Sequence, residues 1–327
     1  MTSHSAEGQI RVATAADVPA IVALMQSELG WPEDPRAEAL WRWKHEQNPF
    51  GTSLVWVAEC GGEVIALRAF MRWRMITSDG QVLQAARAVD TATRHDQRGR
   101  GWFRALTLHG LGALQDHGIA FVFNTPNEQS RPGYLSMGWR DVGRLPVWVR
   151  PTRWSSLLSM VRSRTAAELW PAHHQTQLAA MSELLASDAD PAALSLVRRA
   201  DRWRPAAGSV GTERSFEYLA WRYGLPALGY RWSESSGRSG EGVVIVRDRA
   251  RGESVERVML DEVGDFGSWR SVIGGDSAVD YLLALGPRPG WGWLPVPGAG
   301  PRLVARPIGD NVVPSAFDLT LGDVELL

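Results

Sequence analysis

Between residues 54 and 93 the chain reads as three strand-type runs joined by tight turns. That pattern excludes a doubly wound parallel sheet, whose strands need long crossovers. Leu54-Val55-Trp56-Val57-Ala58-Glu59 and Val64-Ile65-Ala66-Leu67-Arg68-Ala69-Phe70 flank Gly61-Gly62, a hairpin signal. Ser78-Asp79-Gly80 then turns the chain into a third run, Gln81 to Thr93. Helical spacing lies on both sides of this meander. A short strand at Ile10-Arg11-Val12 precedes the capping-box pair Thr14 and Asp17; Val18, Ile21, Val22, Met25 and Leu29 then recur at helical spacing up to Gly30. A second helix is expected from Arg36 to Glu46, before Asn48-Pro49. A third is expected from Gly101 to His117, then a short buried strand from Ile119 to Asn124 and a brief helix between Asn127 and Met137. The fold class is therefore α/β in the broad sense, an α+β arrangement around a mixed sheet.

The 327 residues give a prior of about two domains at roughly 150 residues each. Residues 1–150 form the first expected domain, 151–204 a helical connection rich in Ala, Ser and Leu, and 205–327 the second. With 35 basic and 36 acidic residues there is no global field for a nucleic acid or an anionic membrane, so neither is an expected partner. Cys60 is the one cysteine, which leaves no internal disulfide and no cysteine-rich zinc site; no metal is expected. The first 20 residues lack an apolar run after a basic cluster, and the expected compartment is the cytoplasm. Lys44 is the only lysine, so 34 of the 35 cations are arginines, a bias read as compositional.

The segment Asp90-Thr91-Ala92-Thr93-Arg94-His95-Asp96-Gln97-Arg98-Gly99-Arg100-Gly101-Trp102-Phe103 carries the chemistry. A strand enters a turn whose glycines let backbone approach a ligand, and the turn opens a helix whose first N–H groups have no partner. Those donors and the helix dipole suit a diphosphate, with Arg98 and Arg100 adding charge. The loop lacks both the Lys-Ser/Thr ending of a P-loop and the spacing of a dinucleotide fingerprint.

A second segment, Asn127 to Trp139, arrives just after the strand at 119–124. With both segments in view, residues 10–150 resemble the GNAT acetyltransferase superfamily. Its loop pattern, Arg/Gln-x-x-Gly-x-Gly/Ala, is matched by Arg98, Gly101 and, imperfectly, by Phe103 in place of a small residue. Its later pattern is matched by Asn127, Tyr134, Gly138 and, with a different aromatic, Trp139. The resemblance implies a GNAT fold whose splayed strands hold acetyl-CoA, the acyl donor. The diphosphate would lie on the amides of Arg98, Gly99, Arg100, Gly101, Trp102 and Phe103, and the pantetheine arm beside Thr91, Ala92 and Thr93. It implies attack by a small-molecule amine in a ternary complex, an oxyanion donor around Ala92, and Tyr134 as the acid for the leaving thiolate. Trp102 is expected to pack under the loop. The proton acceptor is assigned to Asp90, on the strand entering the loop, with Glu59 in reserve; His95 and Cys60 read as surface and turn neighbours. A catalytically silent acyl-CoA-binding sensor or scaffold is the alternative from another class.

The second half shows a faint echo of the first. Leu219-Ala220-Trp221-Arg222-Tyr223 and Pro226 repeat the look of Leu40-Trp41-Arg42-Trp43 and Pro49, each ahead of two strands, here Tyr230-Arg231-Trp232 and Val243-Val244-Ile245-Val246. It has no second phosphate loop; Arg249-Ala250-Arg251-Gly252 reads as a hairpin turn. A degenerate GNAT-like domain that walls the acceptor site or forms a homodimer surface is the expectation. Trp269, Trp291 and Trp293 are candidates for the wall, and Asp261, Glu262 and Asp265 for contact with a cationic amine.

Overall fold

The computed structural model describes residues 8–31, 33–153, 156, 167–172, 174, 176–186, 191–236, 241–264, 278–286 and 292–325. They form two compact units, one built from Met1–Met75, Gln81–Gly143 and Arg302–Ser315, the other from Ile76–Gly80, Arg144–Pro301 and Ala316–Leu327. The division differs from the expected 1–150, 151–204 and 205–327, because a strand near position 305 returns to the first unit. Strand pairing between distant segments leaves no local mark, which is why the boundary was not legible.

In the first unit β1 (Gln9–Val12), β2 (Leu54–Cys60), β3 (Glu63–Thr77) and β4 (Val82–Thr93) follow one another in the sheet, as the tight turns require. β5 (Phe121–Asn124) pairs in parallel with β4. β6 (Arg140–Arg144) lies beyond it, after a strand supplied from the far end of the chain. The helices are α1 (Val18–Leu29), α2 (Ala37–His45), α3 (Trp102–Leu114) and α4 (Arg131–Ser136). Along β2 to β4, Trp56, Ala58, Ala66, Phe70, Ala86 and Ala88 form one core with Leu106 and Leu111 of α3 and Tyr134 of α4. Their neighbours Val57, Leu67, Ala69, Met71 and Ala85 are equally buried, so the central strands are covered on both faces. α1 packs on β4 and on α2. The last helix is shorter than expected. Asn127 Oδ1 accepts from the Ser130 amide at 2.8 Å, and this side-chain turn occupies the segment before α4.

The second unit has its own sheet, in the order β14-β7-β13-β12-β11-β10-β8. The strands are β7 (Val147–Pro151), β8 (Ala179–Ala180), β10 (Arg231–Ser236), β11 (Glu241–Arg251), β12 (Ser254–Gly264), β13 (Tyr281–Leu285) and β14 (Leu294–Pro295). β9 (Val210–Thr212) pairs in parallel with β16 (Phe317–Asp318). A helix, Phe216–Gly224, capped by the Ser215 hydroxyl, precedes β10, and the turn at Gly252 joins β11 to β12.

The topologies of the two units agree. Each has a short edge strand, then three antiparallel strands in sequence, then a parallel neighbour: β1-β2-β3-β4-β5 in one, β8-β10-β11-β12-β13 in the other. The slot beside β5 is filled antiparallel by β15 (Arg302–Pro307), and the slot beside β13 antiparallel by β7. The echo in the sequence thus corresponds to a repeated strand order, with each unit completed by a strand from elsewhere in the chain.

Candidate functional site

The β4–β5 ladder ends at Arg87↔Phe123, after which β4 runs on to Thr93 while β5 stops at Asn124. The separating strand ends open a cleft of about 670 Å3. Ala88, Val89, Asp90, Thr91 and Thr93 line one side, Asn124 to Asn127 the other, and Phe103, Gly133 and Tyr134 the end toward α3 and α4.

The glycine loop enters α3 as the sequence suggests. Gly99 and Gly101 have φ of 74° and 83°, a left-handed backbone that residues with a Cβ rarely adopt, and Gly101 is the N-cap of α3. Arg98 lines the cleft; its guanidinium meets the buried Glu28 carboxylate and the Thr93 carbonyl. Arg100 is exposed, Ala92 is buried, and Trp102 packs against the core with its indole close to Gly8.

Phe103 is the departure from the family pattern, and its packing is resolved by Gly133. A Cβ at position 133 would meet Phe103 Cε1 at 2.8 Å, so the large ring on α3 is matched by a missing side chain on α4. Phe103 stands edge-on to Tyr134, with ring centroids 5.3 Å apart.

Tyr134 is buried, and its hydroxyl accepts from the Arg68 guanidinium at 2.6 Å. Arg68 also donates to Thr91 Oγ1 and lies over the rings of Phe70, Phe103 and Tyr134. The Arg68 side chain is 1% exposed, and its Nε makes no hydrogen bond. A phenol whose lone pair is occupied by a guanidinium must direct its own proton elsewhere, and the open direction is the cleft. Arg68 was missed in the sequence because it is one arginine among 34, on an ordinary strand.

On β4 the next residue back from Thr91 is Asp90, the only non-glycine residue with positive φ (40°) among the described residues. Such a backbone costs about 1–3 kcal/mol and persists only where neighbours impose it. Here the neighbours are the last two residues of α2. Lys44 Nζ lies 2.7 Å from Asp90 Oδ2 and 3.0 Å from Oδ1, and His45 Nε2 lies 2.7 Å from Oδ2. Burial pushes the Asp90 carboxyl up, but the Lys44 charge and the His45 hydrogen bond outweigh it and hold the group at about 2. Burial lowers His45, with partial opposition from Asp90, which favours the neutral ring. An ionised carboxylate only accepts, which assigns the ring proton to Nε2 and leaves Nδ1 to accept from Ser53 Oγ at 2.9 Å. A carboxylate so held is a poor proton acceptor.

The remaining candidates lie elsewhere. Glu59 is paired with Arg11 at 2.6 Å. His95 is exposed, with its amide donating to Glu28, and Cys60 is half-buried at the end of β2. In the second unit Asp261 does not face solvent: with Asp323 it forms a sealed ion pair to Arg214, all three side chains 0% exposed. Trp293 is buried in that unit's core. Trp269, Trp291 and Asp265 lie outside the described residues. No helix among the described residues is long and apolar enough to cross a membrane.

Residues 9–142 match the model of the acetyltransferase (GNAT) domain family. The chain is similar in fold to a GCN5-related N-acetyltransferase from Anabaena variabilis, with a TM-score of 0.62 and 13% identity over 93% of this chain and 73% of that one. A probable N-acyltransferase from Enterococcus faecalis gives a TM-score of 0.62 and 11% identity, over 92% and 73% of the two chains. Eis1 from Mycobacterium abscessus gives 0.54 and 16%, over 92% and 74%. At these identities the likeness speaks for the fold. No curated protein matches the sequence.

Proposed function

We propose that this chain, whose residues 9–142 match the acetyltransferase (GNAT) domain family, is an acyltransferase that moves an acetyl group from acetyl-CoA to the amine of a small molecule by direct attack in a ternary complex. The observation that carries this reading is the Tyr134 hydroxyl, held by Arg68 with its proton free to point into the cleft between the diverging strands.

The residues fit an acyl-CoA. The left-handed loop at Gly99 and Gly101 and the first turn of α3 offer amides to a diphosphate, with Arg98 and Arg100 beside them. Thr91, Ala92 and Thr93 lie where β4 has left β5, and in this reading their backbone would meet the extended arm. Asn127 shapes the opposite lip through its turn to Ser130. Amides near Ala92 would receive charge developing on the thioester oxygen, and Tyr134 would return a proton to the departing thiolate. Asp90 stands on the same strand, held by Lys44 of α2. Its carboxylate is already satisfied, so the proposal gives it a part in holding the strand, with the amine entering neutral or losing its proton to water. The second unit, with the same strand order and no glycine loop of this kind among its described residues, is proposed as a degenerate copy that walls the acceptor side or pairs two copies of the chain.

The test is an amine screen with acetyl-CoA that follows thiol release for the wild type and Tyr134→Phe. Turnover that falls by about tenfold or more in the variant, with CoA binding retained, is the expected result. CoA binding without turnover on any amine would instead make the protein an acyl-CoA-binding sensor or scaffold.

A further inference from the structure

Asp90 raises a question that the proposed chemistry leaves open: why a strand beside the cleft holds an aspartate where glycine would fit without strain. The answer lies in α2. Lys44 is the only lysine in a chain that uses arginine for its other 34 cations, and it is 1% exposed with its ammonium on the Asp90 carboxylate. A lysine brings a compact charge on a slim stem, which suits a closed space better than a planar guanidinium. His45, 2% exposed, grips the same carboxylate oxygen.

The grip is itself braced. The His45 ring lies against Trp41 with centroids 3.9 Å apart, and its far nitrogen is held by Ser53. The His45 carbonyl accepts from the Ser53 amide at 2.8 Å. Just beyond, Asn48 Oδ1 accepts from the Phe50 amide while Nδ2 donates to the Arg72 carbonyl of β3, both at 2.9 Å. The end of α2 is thus pinned to the sheet from several directions. Asp90, the one non-glycine residue with positive φ among the described residues, lies within its reach.

We infer that Lys44 and His45 are positioning residues: by clamping the Asp90 carboxylate they hold its backbone left-handed, and this sets the neighbouring amides of β4 where the thioester carbonyl is received. A left-handed residue within a strand turns the adjoining peptide planes out of the extended register, as in a bulge. Of the residues that follow, Thr91 and Thr93 line the cleft beyond the end of the β4–β5 ladder, and Ala92 between them is buried. Without the clamp an aspartate would relax toward ordinary extended backbone, and those amides would rotate. The inference rests on the acyl-CoA reading of the cleft and adds to it a role for α2.

The decisive comparison uses two double variants that remove both charges and differ only in tolerance of positive φ. Lys44→Met with Asp90→Gly keeps a residue at home in the left-handed region; Lys44→Met with Asp90→Ala does not. Binding of acetyl-CoA and of CoA is measured for each by calorimetry, together with turnover on whichever amine the wild type accepts. The glycine pair should bind acetyl-CoA within about twofold of the wild type, while the alanine pair should lose about tenfold for acetyl-CoA and little for CoA, the worth of one hydrogen bond to the carbonyl. Equal acetyl-CoA affinities in the glycine and alanine pairs would overturn the inference. So would equal loss of turnover in both pairs beside an active wild type, since Asp90 would then be needed for its carboxylate and the acyl-transfer reading would stand. A wild type that binds acetyl-CoA and acetylates no amine would remove the proposed function, and the clamp would still be judged on the affinities.

Discussion

Each unit of this protein buries a cluster of charged and phenolic side chains, and the two clusters differ in two respects. In the second unit Arg214 lies between Asp261 and Asp323, Tyr223 donates to Asp261, and Thr320 joins both carboxylates. Every member of the ion pair is sealed from solvent. In the first unit Lys44 and His45 hold Asp90, Arg68 holds Thr91 and Tyr134, and Asp90, Arg68, Thr91 and Tyr134 line an open cleft. The cluster in the second unit has no residue with positive φ, and the cluster in the first contains Asp90, the one non-glycine residue with positive φ among the described residues. Burial of charge alone is architecture; burial of charge beside a cavity, with backbone strain held in place, is what a reaction site requires.

The largest expected effect breaks the sealed cluster. Asp261→Asn leaves Arg214 buried with an incomplete partner set and should cost about 3–5 kcal/mol of stability, read from urea unfolding. A loss under 1 kcal/mol would mean the cluster is not the closed network described. The matching change at the open cluster, Arg68→Met, should act on chemistry as well: turnover is expected to fall about tenfold, because Tyr134 loses the donor that directs its proton. CoA affinity should stay within about threefold in that variant, and a change in affinity alone would recast Arg68 as a binding group.

A pH series sharpens the contrast. The folded value of Asp90, about 2, lies below the ordinary carboxylate value of about 3.9, so its contribution is full above about pH 4 and is lost as the pH falls toward 2. The stability gap between wild type and Asp90→Asn should therefore be widest above pH 4 and close on acidification; a gap that widens in acid would have the wrong sign. His45, lowered by burial, costs the wild type stability as the pH falls below about 6.5, but Asp90 opposes that lowering, so this contribution does not help to close the gap. The smallest effect concerns packing. Gly133→Ala brings a methyl to 2.8 Å from Phe103 and should cost about 1–2 kcal/mol, partly relieved by Phe103→Leu.

Where structure follows from neighbours in sequence, it was legible. The left-handed glycines at 99 and 101, the capping box at Thr14 and Asp17, the hairpin at Gly61-Gly62 and the stop at Gly30 each announce a local backbone, and the structure has them. Tyr134 and Asn127 were found by motif spacing, and both line the cleft. Arg68 was not, because its partner is 66 positions away, and Lys44 lies 46 positions from Asp90. The single lysine was visible as an oddity of composition, but nothing in the sequence told which aspartate it would meet. The exchange of β7 and β15 between the repeated sheet orders was hidden for the same reason, as pairing of distant strands has no local period.

The central claim is best tested by determining the structure with CoA bound. The account places the diphosphate on the amides of residues 98–103, the arm along residues 91–93 and the sulfur near the Tyr134 hydroxyl. A coenzyme seated elsewhere on the chain, with the cleft between β4 and β5 left empty, would contradict it.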